Sequence, residues 1–169
     1  MKGRLAVAGL ALSLVALQTS GARASGPFGL HPDLLLIFVV ALGMRSGETA
    51  GALWGIGLGF VGDVFSAGLP GANMLTKGLI GFAAGNLRDH LDCDNPNALA
   101  IVAALATLAE GLVHLALLEV FSAGRGVLAP FLGTIAPAAA VNGALLPVGV
   151  AAVRALARWR SRRFAASGT

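Results

Sequence analysis

Six apolar runs separated by short polar breaks organise this chain. They extend from about Leu5 to Leu17, Pro32 to about Met44, Ala50 to Gly68, Ala72 to about Asn86, Ala98 to Phe121, and Phe131 to about Ala157. A membrane-crossing helix needs about 20 mostly apolar residues. The fifth and sixth runs reach that length comfortably. The second and fourth are short and are expected to be tilted or partly re-entrant. Lys2 and Arg4 before the first run, and Ala22-Arg23-Ala24 after it, have the form of a cleavable signal peptide. The expectation is instead an uncleaved first helix, with Gln18-Thr19-Ser20 opening the loop that follows. The predicted fold class is an all-α membrane protein, a bundle of about six transmembrane helices. The breaks are too short to fold separately, so residues 1–169 form one integral membrane domain ending in a basic tail, 154–169.

Composition agrees with the pattern. Hydrophobic residues make up 56% of the chain and charged residues 12%, against about 25% charged in soluble domains. Basic residues then orient the bundle, because Lys and Arg concentrate on the cytoplasmic side. With a cytoplasmic amino terminus, the inner side holds Lys2, Arg4, Arg45 and Arg88. It also holds the tail arginines Arg154, Arg158, Arg160, Arg162 and Arg163. The outer side holds Arg23 and Arg125. Both termini are therefore expected in the cytoplasm, with the tail against anionic membrane lipids. A nucleic-acid partner is not expected, because no soluble domain carries the basic patch. The single cysteine, Cys93, rules out an internal disulfide framework.

The glycines come next. Gly57-Leu58-Gly59-Phe60-Val61-Gly62 imitates a dinucleotide-binding pattern. That motif needs a preceding strand and a following acid about 20 residues on, and here it lies in an apolar helix. Close helix packing explains the glycines better. Gly51, Gly55 and Gly59 recur every four residues, as do Gly81 and Gly85, and such spacing lets helix backbones approach.

Asp63 and Lys77 interrupt the third and fourth runs. An ionised carboxylate in hydrocarbon costs roughly 2.5–3.5 kcal/mol on insertion scales, so Asp63 is expected to be paired, protonated or facing a polar partner. Asp63 precedes Pro70, and Lys77 follows it, by equal distances along the chain. If both segments are helical, the two charges share a depth and an Asp63–Lys77 ion pair would lock the hairpin. The alternative is that Asp63 faces a partner helix or polar cavity. Glu110 and His114 share one face of the fifth run and are expected to form a hydrogen-bonded pair. Their spacing fits neither a di-iron site nor a zinc protease. The polar loop Arg88-Asp89-His90-Leu91-Asp92-Cys93-Asp94-Asn95-Pro96 lacks the spacing of a calcium loop and is expected to be a solvated connection. No metal, no cofactor and no catalytic residue is expected, so the chain is not expected to be an enzyme.

Pro32-Asp33-Leu34-Leu35-Leu36 opens the second segment. Gly62-Asp63-Val64-Phe65-Ser66 ends the glycine-rich third, followed by Leu69-Pro70-Gly71. Val141-Asn142-Gly143, with Pro147 beyond it, marks the last span. Together, in this order, these motifs resemble the MreD family of rod shape-determining proteins. The resemblance implies a place in the bacterial inner membrane within the cell-elongation machinery. It further implies that the chain scaffolds an MreC-like single-span partner beside MreB, RodA and a penicillin-binding protein, organising lateral peptidoglycan synthesis. It also implies a fold resembling the substrate-binding subunits of energy-coupling-factor transporters. Those subunits supply an alternative function, small-molecule capture. On the scaffold reading, the glycine faces of segments three and four accept the partner's helix. Asp63 and Asn142 are then candidates for interhelical hydrogen bonding, and Pro137 and Pro147 bend the last span.

Overall fold

The computed structural model describes residues 2–21, 32–66, 69–122 and 128–166. Over them the chain forms six helices: α1 (Lys2–Gly21), α2 (Leu34–Ser46), α3 (Glu48–Phe65), α4 (Ala72–Leu87), α5 (Pro96–Ser122) and α6 (Leu128–Ala166). Ala22-Arg23-Ala24, Arg125 and Gly68 of the predicted turn lie outside the described residues. Among the described residues, two stretches, Pro96–Phe121 and Gly133–Leu156, are long and apolar enough to cross a membrane. α2, with 13 residues, spans only about 20 Å at 1.5 Å per residue.

Helix boundaries have local causes. Asp33 caps α2 by accepting a hydrogen bond from the Leu36 amide at 2.9 Å, satisfying one of the free amides of the first turn. Gly47 separates α2 from α3 at φ 91°, a conformation that glycine adopts without steric penalty. Asn95 and Pro96 start α5: the Asn95 side chain accepts from the Asn97 amide at 2.9 Å, and proline fits the first helical turn. α1 continues to Gly21, so Gln18, Thr19 and Ser20 belong to its last turns rather than to a loop. Gln18 explains the extension. Its amide nitrogen donates to Asp33 Oδ1 at 3.2 Å, and its oxygen accepts from the Leu35 amide at 3.0 Å. α6 runs unbroken through Pro137 and Pro147 and on to Ala166. The basic segment 154–166 is thus helical and continuous with α6.

α2 lies at the centre and touches all the other helices. Its apolar side builds two cores. One joins Leu35, Phe38 and Val39 to Ala11 of α1 and Leu58 of α3, with Phe38 and Trp54 edge to face at 6.2 Å. The other joins Leu36, Val40 and Met44 to α4, α5 and α6 through Ala84, Val102 and Leu146.

The tightest contact is between α3 and α4, and the periodic glycines make it. They are antiparallel, and backbone meets backbone at every turn. A Cβ on Gly51 would collide with the Gly81 carbonyl, one on Gly55 with the Lys77 carbonyl, and one on Gly59 with Met74 Cα at 2.5 Å. Gly81 and Gly85 face Gly51 and Glu48 in the same way. Gly57, by contrast, faces open space, with nothing within 4 Å of an added Cβ. Gly55→Val should therefore abolish accumulation of folded protein. Gly57→Ala should be neutral or stabilising by up to about 1 kcal/mol, from the better helix propensity of alanine. Membrane accumulation measures the first, and thermal unfolding in detergent the second.

Candidate functional site

Four helices that build the larger core carry the same stripe, and each stripe ends in a polar residue. Along α2, Met44, Val40 and Leu36 lead to Asp33. Along α4, Ala84 leads to Lys77. Along α5, Leu99, Ala103 and Ala106 lead to Glu110. Along α6, Leu146 leads to Asn142. The four end residues meet in one layer. The core is thus apolar toward the end where α2, α4 and α6 finish, and it is covered by a polar layer toward the end where they begin.

Lys77 is the centre of that layer. It is 2% exposed, among the largest fully buried side chains. Its ammonium donates to Asp33 Oδ2 at 2.6 Å and also to Glu110 Oε1. Asp33 completes its shell with the Leu36 amide and Gln18. Asn142 is buried too. Its oxygen accepts from the Asp33 amide at 3.2 Å, and its nitrogen donates to the Thr107 hydroxyl at 3.0 Å. The Thr107 hydroxyl in turn donates to the Ala103 carbonyl at 2.8 Å. Among the described residues, every buried side-chain nitrogen and oxygen has a hydrogen-bond partner. That completeness is the condition under which a buried ionic network is tolerated.

Asp63 does not pair with Lys77. The α3–α4 register decides this. Lys77 lies opposite Gly55, and Asn73 opposite Gly59, which puts Asp63 two turns away from the lysine, about 12 Å along the axis. The expectation of equal depth rested on a hairpin symmetric about Pro70, but α3 stops at Phe65 and α4 starts only at Ala72. Asp63 caps α4 instead. The α4 N-cap is Gly71, which has no side chain to offer. Asp63 accepts from the Asn73 amide, the Asn73 side chain and the Met74 amide, each at 3.0 Å. These are amides of the first turn, where the helix dipole also favours a negative charge.

Glu110 and His114 are hydrogen-bonded, but through the backbone carbonyl of Glu110 and not through its carboxylate. The Glu110 carboxylate reaches Lys77, while His114 Nδ1 donates to the Glu110 backbone carbonyl at 3.1 Å. Among the described residues no group of three or more His, Cys, Asp or Glu side chains is arranged to hold a metal ion.

The polar loop before α5 is anchored rather than merely solvated. Cys93 Sγ donates to the Met44 carbonyl at 3.1 Å, and Arg154 donates to the Cys93 carbonyl at 3.1 Å and to the Asp94 carboxylate.

Sequence reasoning missed the role of Asp33 and the contributions of Gln18 and Thr107. Asp33 did carry a signal: an aspartate between a proline and an apolar run is an N-cap signature. Gln18 and Thr107 carried none beyond being polar in apolar runs.

A family model described as rod shape-determining protein MreD matches residues 6–155. Among curated proteins and solved structures, none matches the chain.

Because Asp63 and Lys77 act in separate places, their effects should add. Asp63→Asn should lower stability by about 1 kcal/mol, the usual value of a cap. Lys77→Met strands two carboxylates and should cost about 3–5 kcal/mol. The double variant should be worse than either single when thermal unfolding in detergent is compared across the set. Rescue of Lys77→Met by Asp63→Asn would restore the ion-pair reading.

Proposed function

Since the chain belongs to the MreD family of rod shape-determining proteins, we propose that it is a non-enzymatic, multi-pass component of the cell-elongation machinery in the bacterial inner membrane. In this reading six helices cross the bilayer and both termini are cytoplasmic. The chain scaffolds an MreC-like single-span protein, works beside MreB, RodA and a penicillin-binding protein, and helps organise lateral peptidoglycan synthesis. The family match over most of the chain carries the proposal. The family is one of shape-determining structural membrane proteins and not a known enzyme family.

The structure supports a scaffold in a particular way. Asp33, Lys77, Glu110 and Asn142 are engaged with one another inside the bundle, and Asp63 holds the α3–α4 turn. Polar chemistry here fixes helix positions. Arg45, Arg88, Arg154 and Arg158 lie toward the end where α2, α4 and α6 finish. Their clustering supports a cytoplasmic placing for that end and a contact there with anionic lipid headgroups.

The route to the partner differs from the one the glycine spacing suggested. Gly51, Gly55, Gly59, Gly81 and Gly85 are occupied by the contact between α3 and α4, so they cannot also receive a partner helix. What this rigid hairpin offers outward is apolar: Leu53, Ile56 and Phe60 on α3, and Leu75, Leu79 and Phe82 on α4 are exposed. In a bilayer such a face gains affinity from close van der Waals packing rather than from burial. Small-molecule capture by a transporter subunit draws no support from the family match.

A bulky residue at the open Gly57 position tests the surface. Gly57→Trp should leave the protein folded and reduce co-purification of an MreC-like partner about tenfold, a loss of about 1.4 kcal/mol. Unchanged recovery would remove this face from the proposal. Failure of the unaltered chain to co-purify with any MreC-like protein would remove the scaffold reading itself.

A further inference from the structure

We propose that the polar layer is a latch between two rigid halves of the bundle, and that α5 and α6 swing as one unit about the arginine-bearing end. Each half is tightly built. α3 and α4 are locked by their glycines, with α2 against both where Gly43 meets Gly51 and Gly81. α5 and α6 are locked by Gly143 against the Ala100 carbonyl, by Gly111 against Ile135, and by the Asn142–Thr107 bond. Helix by helix, α5 and α6 each meet α2 or α4 more thinly than neighbours meet within either half.

What joins the halves differs from one end to the other. Toward the arginine-bearing end, the joint is apolar: Met44, Val40 and Ala84 pack with Leu99, Val102 and Leu146. The Cys93 bond to the Met44 carbonyl reinforces it. Toward the opposite end the apolar joint stops. The polar links across the halves, among the described residues, are Lys77 to Glu110 and the Asp33 amide to Asn142. An apolar joint tolerates small rotations because its contacts have no directional requirement. Hydrogen bonds and ion pairs at short range are directional and break in discrete steps. A hinge at one end and a latch at the other follow. Releasing the latch would open a cleft between α4 and α5, lined by Asp33, Lys77 and Glu110.

The test is a pair of spin-label distances on the full chain in lipid nanodiscs. The background is Cys93→Ser, whose hydroxyl can keep the bond to the Met44 carbonyl. Labels at positions 75 and 112, where Leu75 and Leu112 are exposed, report the latch end. Labels at positions 87 and 101, where Leu87 and Ile101 are exposed, report the hinge end. Lys77→Met should lengthen the latch-end distance by about 5 Å or more, the scale of a one-turn helix displacement, and leave the hinge-end distance unchanged. Glu110→Gln, which preserves shape and an acceptor, should give a smaller widening. An unchanged latch end in both variants overturns the proposal. So does a hinge end that broadens together with the latch end, or a Lys77→Met chain that fails to fold while Glu110→Gln widens nothing.

Discussion

One buried ammonium organises this molecule. Lys77 reaches from α4 to a carboxylate at the start of α2 and another in the middle of α5. An unpaired charge buried at such a position is expensive. The surrounding sequence is arranged so that the lysine is never unpaired. Asp33 is itself fixed by the first turn of α2 and by Gln18 of α1. Asn142 ties the same amino end of α2 to α6. Five helices thus converge on one polar layer, and the relative positions of α1, α2, α4, α5 and α6 follow from satisfying it.

The lysine can sit there only because of the glycines. With Gly55 against the Lys77 carbonyl, α3 and α4 approach so closely that the α4 register is set turn by turn. That register aims the Lys77 side chain toward α2 and α5 and takes it away from α3. It also brings Asp63 over the first turn of α4, where a glycine N-cap leaves the amides without a partner of their own. Close packing and charge placement are therefore one arrangement, and a side chain added at Gly51 or Gly55 would disturb both.

Much of the architecture could be read from the sequence. Six helices follow from six apolar runs, and the four-residue glycine spacing corresponds to the α3–α4 contact. The charged contacts were less legible, for a physical reason. Sequence fixes which helix a charge lies on and its approximate depth, but partners depend on how helices are offset along their axes. Asp63 and Lys77 looked paired because they flank Pro70 evenly, whereas the true register is set by where Gly59, Gly55 and Gly51 meet α4. Asp33 and Glu110 are far from Lys77 in the chain, and nothing local connects them. Gln18 lay in what looked like the start of a loop, and only its bonds to α2 show why α1 continues past it.

Lys77 compensates Asp33 and Glu110 inside the bundle. The most direct measurement compares the thermal stability of Lys77→Met with that of the neutral triple variant Asp33→Asn, Lys77→Met, Glu110→Gln. Replacing a whole buried ionic group is far milder than removing one partner. The triple variant should therefore recover most of the stability that Lys77→Met loses. A triple variant no more stable than Lys77→Met alone would show that Lys77 does not act by compensating the two carboxylates.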